Sequence, residues 1–109
     1  MRQMKTIIFS DVLVGEMMTL TLTEFEKQYQ VDEAFLNEML DHGLIEPTQL
    51  ETEKMVFDIQ ALQRIQSALR LQRDLEVNMP GIGIVLDLMD ELHHAREELQ
   101  ILRRQIGDK

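Results

Sequence analysis

Two adjacent histidines, His93-His94, lie one helical turn before Glu97 and Glu98, which is a donor set of the kind that holds a metal ion. Neighbouring residues on a helix point about 100° apart, so the pair is poorly placed to chelate one ion together. In the heptad register described below both histidines fall on the outer face, as solvated side chains. His42 precedes a glycine at a helix end, where an imidazole serves as a partner for the helix dipole. Gly81 and Gly83 sit in a helix start, where they permit close packing; they do not have the spacing of a phosphate-cradling loop. No Ser/His/Asp order is present, and the absence of Cys removes disulfides and thiolate metal sites. These residues point to no enzyme, no catalytic residue, no metal and no cofactor.

The remaining chemistry is charge. The stretch Asp32 to His42 carries Asp32, Glu33, Glu38 and Asp41 without a single Lys or Arg. A helix laid on nucleic acid gains free energy by releasing counterions to its positive side chains, and this one would repel phosphate. A basic polypeptide is the better-matched partner. Glu46 and Glu51 stand behind this set, and Asn37 is on the same face as a hydrogen-bonding group. Residues 16–58 hold eleven acids against Lys27 and Lys54, a balance of −9, while residues 59–109 hold eight against seven bases. A solvated acidic face would give the same totals through solubility alone. The concentration of charge on one binding module favours a basic partner.

The elements that must position these groups are mostly helical. Thr23 and Glu26 have the spacing of a capping box, which starts a short helix at Glu24 with Phe25 and Tyr29 on its buried face. Gln30-Val31 makes a turn, and Asp32 caps a second helix. There Phe35, Leu36, Met39 and Leu40 face the core while Glu33, Asn37, Glu38 and Asp41 face solvent. Gly43 stops it. Leu44-Ile45-Glu46-Pro47 and Met55-Val56-Phe57 read as two strands of a small hairpin or wing, with Pro47 at an edge or turn. Asp58 caps a helix of about 18 residues with Leu62, Ile65, Leu69 and Leu75 inward. The break at 77–81 follows, with Pro80 tolerated in a first turn.

In the last helix Val85, Leu88, Leu92, Ala95, Leu99, Leu102 and Ile106 alternate by three and four, as heptad a and d positions do. Pairing of two copies is expected through these residues, with packing back onto the domain as the alternative. Glu91 and Glu98 then occupy g and Arg96 and Arg103 occupy e, which suits parallel strands. Met39, Met55 and Met89 fall on core or seam positions, where Met fills irregular gaps. The expected division is an N-terminal extension at 1–16, a winged helix-turn-helix domain at 17–78 and a long dimerisation helix over 79–109. A strand at Ile7–Phe9 is allowed within the extension.

Arg2 and Lys5 followed by Ile7-Ile8-Phe9 and Val12-Leu13-Val14 have the outline of a signal peptide. Asp11 interrupts the apolar run, however, and no small-x-small cleavage site follows. No window approaches the roughly 20 apolar residues that a membrane span needs. The expectation is a cytoplasmic protein with no membrane association.

Four stretches together carry a family resemblance: Leu22-Thr23-Glu24-Phe25, His42-Gly43-Leu44-Ile45-Glu46-Pro47, Leu69-Arg70-Leu71-Gln72-Arg73-Asp74-Leu75, and the run Pro80-Gly81-Ile82-Gly83-Ile84-Val85-Leu86-Asp87-Leu88-Met89-Asp90-Glu91-Leu92. Over residues 18–106 the chain resembles the CbpM family of chaperone modulators, which are similar to MerR-type winged helix-turn-helix proteins. The resemblance implies binding to the J-domain of CbpA, a DnaJ-like co-chaperone, and inhibition of its stimulation of the Hsp70 chaperone DnaK. J-domains present a basic helix to DnaK, so an acidic competitor is physically sensible. Residues 1–16 depart from the family pattern. The alternative is a MerR-like DNA-binding transcription regulator, in which Arg64, Arg70, Arg73 and Lys54 would touch phosphates. Specific protein–DNA interfaces are strongly positive, and no Arg stands on the second helix to read guanine.

Overall fold

The computed structural model describes residues 5–107; residues 1–4 of the expected extension and residues 108–109 of the expected last segment lie outside it. In chain order the elements are β1 (Thr6–Asp11), β2 (Glu16–Thr21), α1 (Leu22–Tyr29), α2 (Glu33–Asp41), β3 (Gln49–Leu50), β4 (Lys54–Asp58), α3 (Ile59–Leu75) and α4 (Met79–Gln105). The four strands form one mixed sheet in the order β2-β1-β4-β3.

The segment expected as an extension contributes an inner strand. β1 pairs antiparallel with β2, Thr6 opposite Thr21, and parallel with β4, Ile8 opposite Val56. Its alternating side chains bury Ile7 and Phe9, and the Phe9 ring lies 5.7 Å from Phe25 and 5.8 Å from Phe57. The strand expected at Ile7–Phe9 is thus part of the core itself, longer than anticipated at both ends.

α1 begins two residues before the expected position. Thr21, not Thr23, is its N-cap: the Glu24 amide donates to the Thr21 hydroxyl, and the Thr21 amide donates to the Glu24 carboxylate. Both Thr-x-x-Glu pairs satisfy the local pattern. Thr21 is chosen because it is also the last residue paired with β1, so the chain leaves the sheet directly into the helix. Gln30 closes α1 in the left-handed region, and Val31 is buried beyond it. Asp32 caps α2 as expected by accepting from the Phe35 amide. Phe35, Leu36 and Met39 are buried and Leu40 packs against them half-buried. Gly43, at φ +69°, ends α2: its amide donates to Leu40 and the Leu44 amide reaches back to Met39. That pair of bonds requires a left-handed residue, which glycine adopts without strain.

The hairpin is displaced from the expected one. Leu44–Pro47 is irregular, with Ile45 buried, and the first strand is the short β3, Gln49 opposite Val56. Proline has no amide to donate to a ladder, so pairing starts beyond Pro47. Asp58 caps the 17-residue α3, which buries Leu62 and Ile65 and half-buries Leu69. Leu75, expected inward, is 68% exposed; it lies in the last turn of α3, beyond the turns that pack on β1 and β4. Asn78, unremarked in the sequence, caps α4 through the Gly81 amide, with Pro80 in the first turn. Met79, Ile82, Gly83 and Leu86 dock α4 on the core. A β-carbon at Gly83 would stand 2.9 Å from a Leu44 methyl, so this glycine sets the approach of α4 to the loop after α2.

Candidate partner-binding surface

The turn at Gln30-Val31 and the burial of Phe35, Leu36 and Met39 rotate the opposite side of α2 outward. Asp32, Asn37, Glu38 and Asp41 are exposed there, as are Glu46 in the following loop and Glu51 in the turn before β4. Glu33 is half-buried and accepts from the Lys5 ammonium at 3.2 Å. The acids therefore differ in availability. Asp32 is committed to its cap and Glu33 to Lys5. Among the described residues Asn37, Glu38, Asp41, Glu46 and Glu51 have no side-chain hydrogen bond or ion pair. Lys5 stands 28 residues from Glu33 in sequence, and no local pattern reveals that pairing.

The cations proposed for phosphate contact are not arranged as one surface. Arg64 is inward and shared between elements: its Nε donates to the Leu44 carbonyl at 2.7 Å, and its guanidinium reaches Asp90 at 2.6 Å and Asp87 at 3.7 Å on α4. It is a latch between α3, α4 and the loop after α2, and it is occupied. Arg70 and Arg73 line a shallow groove between α3 and the end of α1, with Gln28, Gln63 and Gln66. Lys54, half-buried, is in β4.

The histidine cluster is exposed on α4, with His93 Nε2 3.1 Å from Glu97 and His94 4.0 Å from it. Among the described residues no group of three or more His, Cys, Asp or Glu is placed to hold a metal ion. His42 is the C-cap of α2, and its amide donates to the Glu38 carbonyl. The environment of Glu24 shifts its titration. The Thr21 amide and then its hydroxyl hold that carboxyl below the ordinary value of 4.5.

α4 extends well past the body. Its 27 residues make a rod of about 40 Å, in a molecule 64 Å long. From Asp87 onward every described residue is exposed. Val85 is half-buried, whereas Leu88, Leu92, Ala95, Leu99, Leu102 and Ile106 are exposed along one stripe. None of the described helices is long and apolar enough to cross a membrane.

A further apolar group went unremarked as a surface. Val12, Leu13 and Val14 form the tip of the β1–β2 hairpin, and all three are exposed. The sequence signal for this tip is the pair Asp11 and Gly15, turn residues that bracket the apolar run.

The family model described as MerR HTH family regulatory protein matches residues 20–104. The chain is 36% identical over 89 residues to Chaperone modulatory protein CbpM of Escherichia coli O1:K1 / APEC, covering 82% of this chain and 88% of the relative. The same figures hold for Chaperone modulatory protein CbpM of Escherichia coli O45:K1 (strain S88 / ExPEC) and of Escherichia coli O9:H4 (strain HS). No solved structure matches significantly. The chain belongs to the CbpM family of chaperone modulators, within the MerR helix-turn-helix class.

Proposed function

We propose that this protein is a non-enzymatic chaperone modulator that binds the J-domain of a CbpA-type, DnaJ-like co-chaperone and inhibits its stimulation of DnaK. The observation that carries this reading is α2: its outward face presents Glu38 and Asp41 without an intramolecular partner among the described residues, and the helix holds no base. In this reading α1 and α2 are the helix-turn-helix and β3–β4 the wing of a MerR-like module over 17–78, completed by β1. Asn37, Glu38, Asp41, Glu46 and Glu51 meet the basic J-domain helix directly, and Asp32 and Glu33, held by the cap and by Lys5, border that surface and add to its field. Opposite charge accelerates encounter and selects the partner more than it sets the lifetime of the complex.

The α4 stripe, Val85 to Ile106, pairs with that of a second copy. Parallel pairing brings Glu91 near the partner's Arg96 and Glu98 near the partner's Arg103, at a few tenths to about 1 kcal/mol for each exposed pair. The MerR-like DNA-binding alternative is the weaker one, since Arg64 is engaged on Leu44, Asp87 and Asp90 and α2 is anionic. A gel shift at low salt with genomic fragments separates the two. For the main reading, Glu38→Lys combined with Asp41→Lys is expected to slow association with an isolated CbpA-type J-domain about tenfold at low salt and to flatten its salt dependence. Unaltered stopped-flow rates across a salt series would remove α2 from the interface.

A further inference from the structure

The tip of the β1–β2 hairpin places three consecutive aliphatic side chains in solvent. Leu13 is 98% exposed, Val12 81% and Val14 64%, with Met17 of β2 at 65%. Exposed turns are ordinarily built from polar residues and glycine. This turn is also well organised. The Asp11 carboxylate accepts from the Leu13 and Val14 amides at 3.1 and 3.4 Å, and the Gly15 amide donates to the Asp11 carbonyl at 2.7 Å. Gly15 takes φ +75°, which closes the loop. The strand beneath is anchored by Ile7 and Phe9 in the core. The three aliphatics are thus held outward on a firm mount, so little ordering entropy remains to be lost on docking. The tip lies outside residues 20–104, the part matched by the family model.

We infer that the Val12-Leu13-Val14 tip is the apolar anchor of the partner interface, seated in an apolar cleft with a basic rim on the J-domain protein. The inference rests on the proposed J-domain reading and supplies what the acidic face lacks, a desolvated centre. Charge selects the occupant. Asp11 and Glu16 flank the tip at its base, and residues 16–58 behind it carry a balance of −9. An anionic lipid surface is repelled by that field, as is the equally acidic second copy, while a basic polypeptide is attracted. β1 connects the two surfaces: it starts beside Lys5, which binds Glu33 of α2, and ends at Asp11, about 20 Å away at the rise of an extended strand.

The roles of the two surfaces separate kinetically, because apolar burial acts mainly on dissociation and charge on association. Leu13→Asp, at a side chain almost fully in solvent, is expected to leave the fold unchanged and not to slow association, while dissociation from the isolated CbpA-type J-domain accelerates about tenfold or more. The chain has no Trp, so Leu13→Trp in the full-length protein introduces a single reporter whose emission is expected to shift to the blue when the J-domain is added. If the wild type binds but Leu13→Asp dissociates at the wild-type rate, or the Leu13→Trp emission stays that of a solvated indole, the anchor is refuted and the acidic-face reading stands. A blue shift with vesicles of phosphatidylglycerol and phosphatidylethanolamine alone, or with rising concentration of the protein alone, assigns another occupant and also overturns the inference. If the wild type fails to bind the J-domain, both readings fall.

Discussion

Replacing Phe9 by Ala tests whether β1 is structural. The ring is 1% exposed, stacks on Phe57 at a centroid distance of 5.8 Å and meets Phe25 tilted at 5.7 Å. Its removal forfeits the transfer free energy of an aromatic side chain and leaves a cavity. β1 is paired on both sides, so the backbone cannot collapse to fill that space. Large-to-small changes of this kind cost about 3–5 kcal/mol, and each aromatic pair accounts for about 0.5–1.5 kcal/mol beyond area burial. A domain of this size holds about 5–15 kcal/mol in all, so Phe9→Ala removes roughly a fifth of the stability or more. Urea unfolding followed by far-ultraviolet circular dichroism reads the change as a lower midpoint at constant slope. Thermal midpoints should fall by roughly 10–20 °C. Leu13→Ser, eleven-to-sixteen hairpin intact and side chain in solvent, is the matched control, expected within about 0.5 kcal/mol of wild type. A loss below about 1 kcal/mol for Phe9→Ala would refute the placement of β1 in the core.

At Gly83, a valine is expected to destabilise by about 1–3 kcal/mol through its clash with Leu44, measured by the same urea curves. Gly83→Ala should lie within about 1 kcal/mol of wild type, since the gain in helix propensity offsets a contact that the end of the Leu44 side chain can relieve. Leu92→Asp with Leu99→Asp should convert a self-associated protein to monomer in sedimentation equilibrium while leaving the monomer's helical signal intact; undiminished association would exclude the α4 stripe as the seam. Glu24 has a lowered folded-state pKa, so its contribution is present above the ordinary carboxylate value of 4.5 and is lost as pH falls through the depressed one. Glu24→Gln should therefore reduce the difference in stability between neutral pH and pH values below 4.5, and an unchanged acid limb would remove the capping box as its origin.

The N-cap at Asp32, the glycine stop at Gly43 and the cap at Asp58 were legible because each is satisfied by groups within a few residues. So was the core face of α2, whose helical spacing shows in the order of residues alone. The acidic face follows as its complement. Which of its acids remain available was not legible: Lys5 reaches Glu33 across 28 residues, and Arg64 turns inward to Leu44 and Asp90 across 20 and 26.

What the amino-acid order settles here is short-range: where helices begin and stop, which side of each is apolar, and where negative charge gathers. These depend on hydrogen bonds and spacings that a segment carries with it. The choice of Thr21 over Thr23 as cap, the insertion of β1 between β2 and β4, and the outward presentation of Val12-Leu13-Val14 needed the assembled molecule. A parallel pairing of strands some fifty residues apart leaves no local periodicity to read, because its partner is supplied only when the chain closes on itself.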